Sequence, residues 1–156
     1  MELAELEKKY KELGEEIERL KGQVGFKDDK IFLLSVDEYK KYADKIPSTP
    51  WWWLRSPGCD QNLTYYVYRD GWTDCYGSTV TDDYGCVRPA LKHMSTKDKF
   101  EWLGATWIRI DENLYIAEMP IAMRRFDAES NDYETSEVRQ FLLDWYKERL
   151  GEGTTV

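Results

Sequence analysis

Three cysteines and a single histidine are the residues of this 156-residue chain best suited to nucleophilic, redox or metal-ligating work. Cys59, Cys75 and Cys86 are odd in number and form no C-x-x-C pair, which argues against a disulfide framework and against a zinc site. His93 cannot build a metal site alone, and any Ser-His or Cys-His arrangement would have to use it. Beside a loop it reads as a solvated surface residue. Asp82-Asp83 and Ser130-Asn131-Asp132 supply oxygens but read as solvated turns. No catalytic residue, metal ligand or cofactor is expected from these groups, and the chain is not expected to be an enzyme.

What the chain has in excess is aromatic surface. Aromatic residues make up 15% of it, mostly Tyr and Trp. The segment WWWLRSPGCDQNLTYYVYRDGWTDCYGSTVTDDYGCVRPAL, Trp51 to Leu91, holds four of the seven tryptophans and five of the eleven tyrosines. It has no helix-length apolar face, and Gly58, Gly71, Gly77 and Gly85 divide it into pieces suited to turns and short strands. Tyr and Trp offer large, stiff contact area at low entropic cost, while Ser, Asn and Asp add adaptable hydrogen bonds, the chemistry of a binding surface. Alternation along a strand requires part of the set to point inward instead: Val67, Val80 and at least one or two of Trp51–Trp53. Arg55 and Arg88 are expected to be structural, stacked on tryptophan or paired with a buried carboxylate.

The elements that must position this segment are legible on either side of it. Leu3, Leu6, Tyr10, Leu13, Ile17, Leu20 and Val24 recur at spacings of three and four, a heptad seam with Leu3, Tyr10, Ile17 and Val24 at a and Leu6, Leu13 and Leu20 at d. Glu16 at g can meet Lys21 at e of a neighbouring chain. Gly14 weakens the helix by about 1 kcal/mol relative to Ala. The seam predicts a coiled coil over 1–25, dimeric or trimeric; the alternative is a helix folded back on its own domain. Gly22 and Gly25 are expected to end it. IFLLS, Ile31 to Ser35, reads as a buried strand, and Ser35 with Glu38 as a capping box for a helix over Val36–Ala43. VRPAL, Val87 to Leu91, reads as a strand with a proline at a bulge or edge. Thr106–Ile110 and Leu114–Met119 read as a hairpin turning at Asp111-Glu112-Asn113. Thr135 or Ser136 opens a last helix, with Gly151 ending it and 151–156 a frayed tail. One domain over 26–150 follows.

Net charge −8 with no basic face excludes nucleic acid and anionic membranes as expected partners. No apolar run approaches the roughly 20 residues that span a bilayer. The charged N-terminus does not read as a signal peptide.

WWWLRSPG at Trp51–Gly58, followed by VRPAL at Val87–Leu91, resembles a family of bacterial and prophage proteins of gut Firmicutes and their phages with a C-type-lectin-like, formylglycine-generating-enzyme-like α+β fold. Some members are the variable proteins of diversity-generating retroelements. FLLS-x-x-E-Y at Phe32–Tyr39 and the W-x-x-I…RFD…NDYE-x-S-E-x-R segment at Trp107–Arg139 belong to the same resemblance, which covers 30–148. In many relatives the hairpin-and-helix segment precedes FLLS; here it follows VRPAL, a permuted order that neighbouring chain ends permit.

The resemblance implies a scaffold at Gln61, Val67, Asp70, Gly71, Gly77, Val80 and Gly85. It implies a variable, ligand-binding set whose codons derive from adenine-rich template codons: Cys59, Asp60, Asn62, Leu63, Tyr66, Tyr68, Arg69, Asp74, Cys75, Tyr76, Ser78, Thr79, Thr81 and Asp82. Trp72 stands at a position of the same type, although its codon cannot arise from AAY by changing adenines. Such an origin accounts for Cys59 and Cys75 as unpaired loop residues. The implied function is ligand or receptor binding, with a bacterial surface protein or glycan as partner and the coiled coil supplying avidity. The implied location is the virion, as in a phage tail, or the bacterial cytoplasm before release.

Three alternatives follow: an undiversified structural or interaction protein of the same fold; a formylglycine-generating-type oxidase, whose chemistry needs a cysteine pair that Cys59 and Cys75 could supply if they meet; and a calcium-dependent lectin, for which the Glu-Pro-Asn, Gln-Pro-Asp and Trp-Asn-Asp triplets are missing.

Overall fold

The computed structural model describes residues 2–21 and 24–153, excepting the side chains of 17–21 and of 152–153. The heptad region forms helix α1, Leu3–Lys21. Leu3, Leu6, Tyr10 and Leu13 all lie exposed, so this part of the seam does not fold back on the domain. Gly22 and the side chains of Ile17, Leu20 and Lys21 lie outside the described residues.

Apolar runs, rather than alternation, mark the strands that follow, because both of their faces are covered. β1 is Ile31–Phe32 and α2 is Val36–Tyr42. The capping box forms as its residues dictate: Ser35 Oγ accepts from the Glu38 amide, and Glu38 Oε1 accepts from the Ser35 amide. The strand is shorter than the expected 31–35. The helix stops at Tyr42, one residue early, and passes into a 3₁₀ turn, Ala43–Lys45.

Next come β2 (Trp52–Pro57), β3 (Leu63–Val67), β4 (Ser78–Thr79), β5 (Cys86–Val87) and β6 (Ala90–Lys92). β7 (Lys99–Trp102), β8 (Ala105–Asp111), β9 (Leu114–Ala117) and β10 (Ala122–Met123) precede α3 (Glu137–Gly153). Ser136 caps α3, its Oγ accepting from the Arg139 amide. α3 continues past the expected stop at Gly151 to Gly153, where open space around Gly151 leaves room for the helix to run on; residues 154–156 of the expected frayed tail lie outside the described residues.

The result is a mixed α+β architecture of two curled sheets. One is antiparallel, ordered β1-β6-β9-β8-β7; the other is β10-β5-β2-β3-β4, antiparallel except for the β2–β5 pair. VRPAL is not one strand. β5 lies in the second sheet and β6 in the first, with Arg88-Pro89 crossing between them, where a residue without an amide hydrogen is tolerated. β7 is a strand the sequence does not announce; it joins β8 through Leu103-Gly104, both at positive φ.

Period-two alternation distributes the apolar runs between two cores. Ile31, Leu33, Trp53, Tyr115 and Ala117 enter one, with Val138 and Leu142 of α3. Phe32, Leu34, Trp52, Leu54, Leu114 and Ile116 enter the other, with Tyr39 and Tyr42 of α2. Two arginines tie the sheets together. Arg55 meets Glu38 at 2.5 and 3.0 Å and also donates to the Leu33 and Gly25 carbonyls. Arg88 is fully buried 5.2 Å from the Trp52 ring and donates to the carbonyls of Ala117, Pro47 and Glu118. Both are structural: one paired with a carboxylate, the other stacked on tryptophan.

Burial alone would raise the Glu38 pKa, but the Arg55 guanidinium and the Ser35 and Gly25 amides outweigh it and hold the carboxyl below its ordinary value. A depressed folded-state pKa contributes stability above the unfolded value of about 4.3 and loses it as pH falls through the folded value. Glu38→Gln should cost about 3–5 kcal/mol at pH 7 in urea unfolding, because it leaves Arg55 buried without a counter-charge. The variant's stability should also fall less steeply than wild type as pH drops below about 4.3.

Candidate functional site

Between the two framework motifs the chain leaves the second sheet three times, and each excursion is held by backbone. β2 pairs with β3 at Pro57↔Thr64, and β3 pairs with β4 at Thr64↔Ser78. That shared strand brings the turn after β2 beside the end of the loop before β4. The Cys59 amide donates to the Cys75 carbonyl at 2.7 Å, and the two cysteines form a disulfide with Cα atoms 5.0 Å apart. The expectation of unpaired loop cysteines is therefore corrected. An odd total leaves one thiol, Cys86, rather than three; burial raises its pKa.

The turn over 59–62 is clamped from outside. Asn131 Nδ2 donates to the Asp60 and Leu63 carbonyls, and its amide donates to the Gln61 carbonyl. Sequence reasoning places Asn131 in a solvated turn and misses this role; no local pattern reveals a clamp on a loop 68 residues away. The turn at 68–72 closes through the Tyr68 amide to the Trp72 carbonyl, with Gly71 at φ +88° and Asp70 accepting from the Trp72 amide. Tyr39 of α2 donates its hydroxyl to the Gly71 carbonyl.

The implied scaffold divides into two kinds. Val67, Val80 and Gly85 are buried. A Cβ on Gly85 would overlap the Trp53 indole, and one on Gly77 would overlap the Thr64 carbonyl oxygen. Gln61, Asp70 and Gly71 are exposed and serve through turn hydrogen bonds and backbone conformation.

None of the candidate ligand-binding residues is buried. Cys59, Asp60, Asn62, Arg69, Trp72, Tyr76, Thr79 and Thr81 are exposed; Leu63, Tyr66, Tyr68, Asp74, Cys75, Ser78 and Asp82 are half-buried. Trp72 is 58% exposed and Tyr76 71%. Tyr84, outside the expected set, is exposed at 74%. A ladder of rings links core to surface, from Trp53 to Trp51 (5.1 Å), Tyr66 (4.6 Å), Tyr68 (4.4 Å) and Trp72 (5.4 Å) between centroids. Tyr66 and Tyr68 are its middle rungs, and burial followed by the Tyr68 hydroxyl raises the Tyr66 pKa. Beside the 68–71 turn a cavity of about 550 Å³ opens, lined by Tyr39, Pro47, Thr49, Tyr68, Arg69 and Asp70 among others.

Chemically, the arrangement offers stacking faces and hydrogen-bonding groups on a fixed backbone. Among the described residues no group of three His, Cys, Asp or Glu side chains is placed to hold a metal ion. Alkylation of the unfolded, unreduced chain should modify one thiol, rising to three after reduction. Cys59→Ser with Cys75→Ser should lower stability by about 3 kcal/mol, the chain-entropy value for a ring of roughly this size. Labelling of three thiols without reduction would overturn the pairing.

Comparison with models of known families, with curated proteins and with solved structures finds no match to this chain.

Proposed function

We propose that this chain is a ligand- or receptor-binding protein that displays a diversifiable aromatic surface on a C-type-lectin-like scaffold, encoded by a phage or prophage, and that its chemistry is binding rather than catalysis. One observation carries the reading: large rings at Trp72 and Tyr76 stand in solvent on turns whose backbone is fixed by hydrogen bonds and a disulfide. Exposed rings on a preorganised frame lose little entropy on binding. The partner is a bacterial surface protein or glycan. The exposed seam of α1 joins two or three copies, so that weak single-site contacts add through avidity.

The encoding locus tests diversification directly. A reverse transcriptase gene and a near-identical repeat differing from the 59–82 coding segment at adenines are expected. A locus with neither leaves an undiversified binding protein of the same fold. Mass measurement in solution tests the stalk: the full chain should run as a dimer or trimer and a chain starting at residue 25 as a monomer. A monomeric full chain would remove the avidity argument while leaving the surface intact.

A further inference from the structure

The electrostatics of this surface select among partners. Between residues 59 and 84 the chain carries Asp60, Asp70, Asp74, Asp82 and Asp83 against one cation, Arg69. Asp74 and Asp82 are half-buried and accept from the Gly77 and Tyr84 amides, so they hold turns. Asp60, Asp70 and Asp83 are exposed. The loop that Asn131 fastens to this turn brings exposed Glu129 and Asp132 on the same segment. Arg125, on the way into that loop, is already paired with Glu137. An acid lies beside each exposed ring: Asp70 accepts from the Trp72 amide, Asp82 from the Tyr84 amide, and Tyr76 follows the Cys75 that is bonded to Cys59 next to Asp60.

Resting on the binding reading above, we propose that this surface docks a cationic protein patch, one presenting lysine and arginine side chains, in preference to a glycan. Ring faces attract guanidinium and ammonium groups, and the surrounding carboxylates supply their counter-charge. Uncharged sugars gain no Coulombic attraction from these carboxylates, and anionic polysaccharides are repelled. The Debye length is about 10 Å at 0.1 M salt, so the carboxylates also steer an approaching cation before contact.

A random peptide library displayed on phage is panned on the immobilised full-length protein, with counter-selection on a Trp72→Ala, Tyr76→Ala variant. A selected peptide is then synthesised and titrated, and a glycan array is probed in parallel. Selected peptides should be rich in Lys and Arg and should bind roughly tenfold more weakly when salt rises from about 0.05 to 0.5 M. Asp60→Asn, Asp70→Asn and Asp83→Asn together should weaken binding by about tenfold. These changes preserve shape, and the second of them keeps a side-chain oxygen for the Trp72 amide; circular dichroism verifies the fold. A charge-matched control, Asp37→Asn with Glu101→Gln and Glu112→Gln, all exposed and outside this segment, should leave affinity unchanged. Neutral or acidic peptides bound independently of salt, or array glycans bound through Trp72 and Tyr76 with no peptide selected, overturn the cationic partner and leave the binding surface standing. Peptide and glycan binding that never depends on Trp72 and Tyr76 overturns both.

Discussion

The fold depends on strand β2 being buried on both faces. Trp52 and Leu54 must enter the core under α2 while Trp53 enters the core under α3, and no register shift of one residue can satisfy both. β2 sits inside the second sheet, between β5 and β3, so its backbone groups are used on both edges. Arg55, near the end of the same strand, closes the gap to α2 through Glu38, and Arg88 closes the crossing from β5 to β6 beneath Trp52. Everything displayed at 59–84 is hung from this doubly buried strand and its neighbour β3.

That arrangement separates support from display. Turn closure over 59–72 falls largely to main-chain groups: Cys59 to Cys75, Leu63 to Asp60, Tyr68 to Trp72. Side chains that add to it come mostly from outside the excursion, from Asn131 and Tyr39. A ring such as Trp72 therefore does not need to pack inward to keep its own turn in place. Leaving apolar ring surface in water forgoes about 25 cal/mol per Å² of burial, a cost that a partner's surface can recover.

The fold was partly legible because local chemistry and tertiary role coincided there. Ser35 and Glu38 form their box from four adjacent residues, and Asn113 at φ 55° sits where the hairpin needs a left-handed residue. The mixed α+β class came with the family resemblance; strand alternation required at least one or two of Trp51–Trp53 to point inward, and both Trp52 and Trp53 do because β2 is covered on both faces. What stayed hidden depends on long-range pairing. VRPAL reads as continuous, yet its halves belong to different sheets, because Trp52 pairs with Cys86 and Ala90 with Ile116. The disulfide was hidden for the same reason: parity counts residues, whereas pairing depends on β3 bonding to both β2 and β4. β7 was obscured by its Lys99 and Glu101, which alternate as an exposed edge strand requires but carry little apolar signal.

The candidate site also contains an internal constraint on how far such a surface can vary. Positions with exposed side chains, such as Tyr76 and Thr81, accept a wider choice of the residues the turn geometry permits. Asp74 and Asp82 do not share that freedom. Asp74 Oδ1 accepts from the Gly77 amide at 2.8 Å, and Asp82 accepts from the Tyr84 amide and the Ser78 hydroxyl. Gly77 in turn cannot give way, since any Cβ there meets the Thr64 carbonyl. Replacement at 74 or 82 is therefore confined to residues with a short side-chain oxygen, chiefly Asn and Ser, which form the same local turn. Cys59 and Cys75 are coupled more tightly still, because losing either sulfur leaves the other unpaired at the loop's base. The surface open to free variation is thus narrower than the set of exposed and half-exposed residues, and it centres on the rings and hydroxyls that no turn requires.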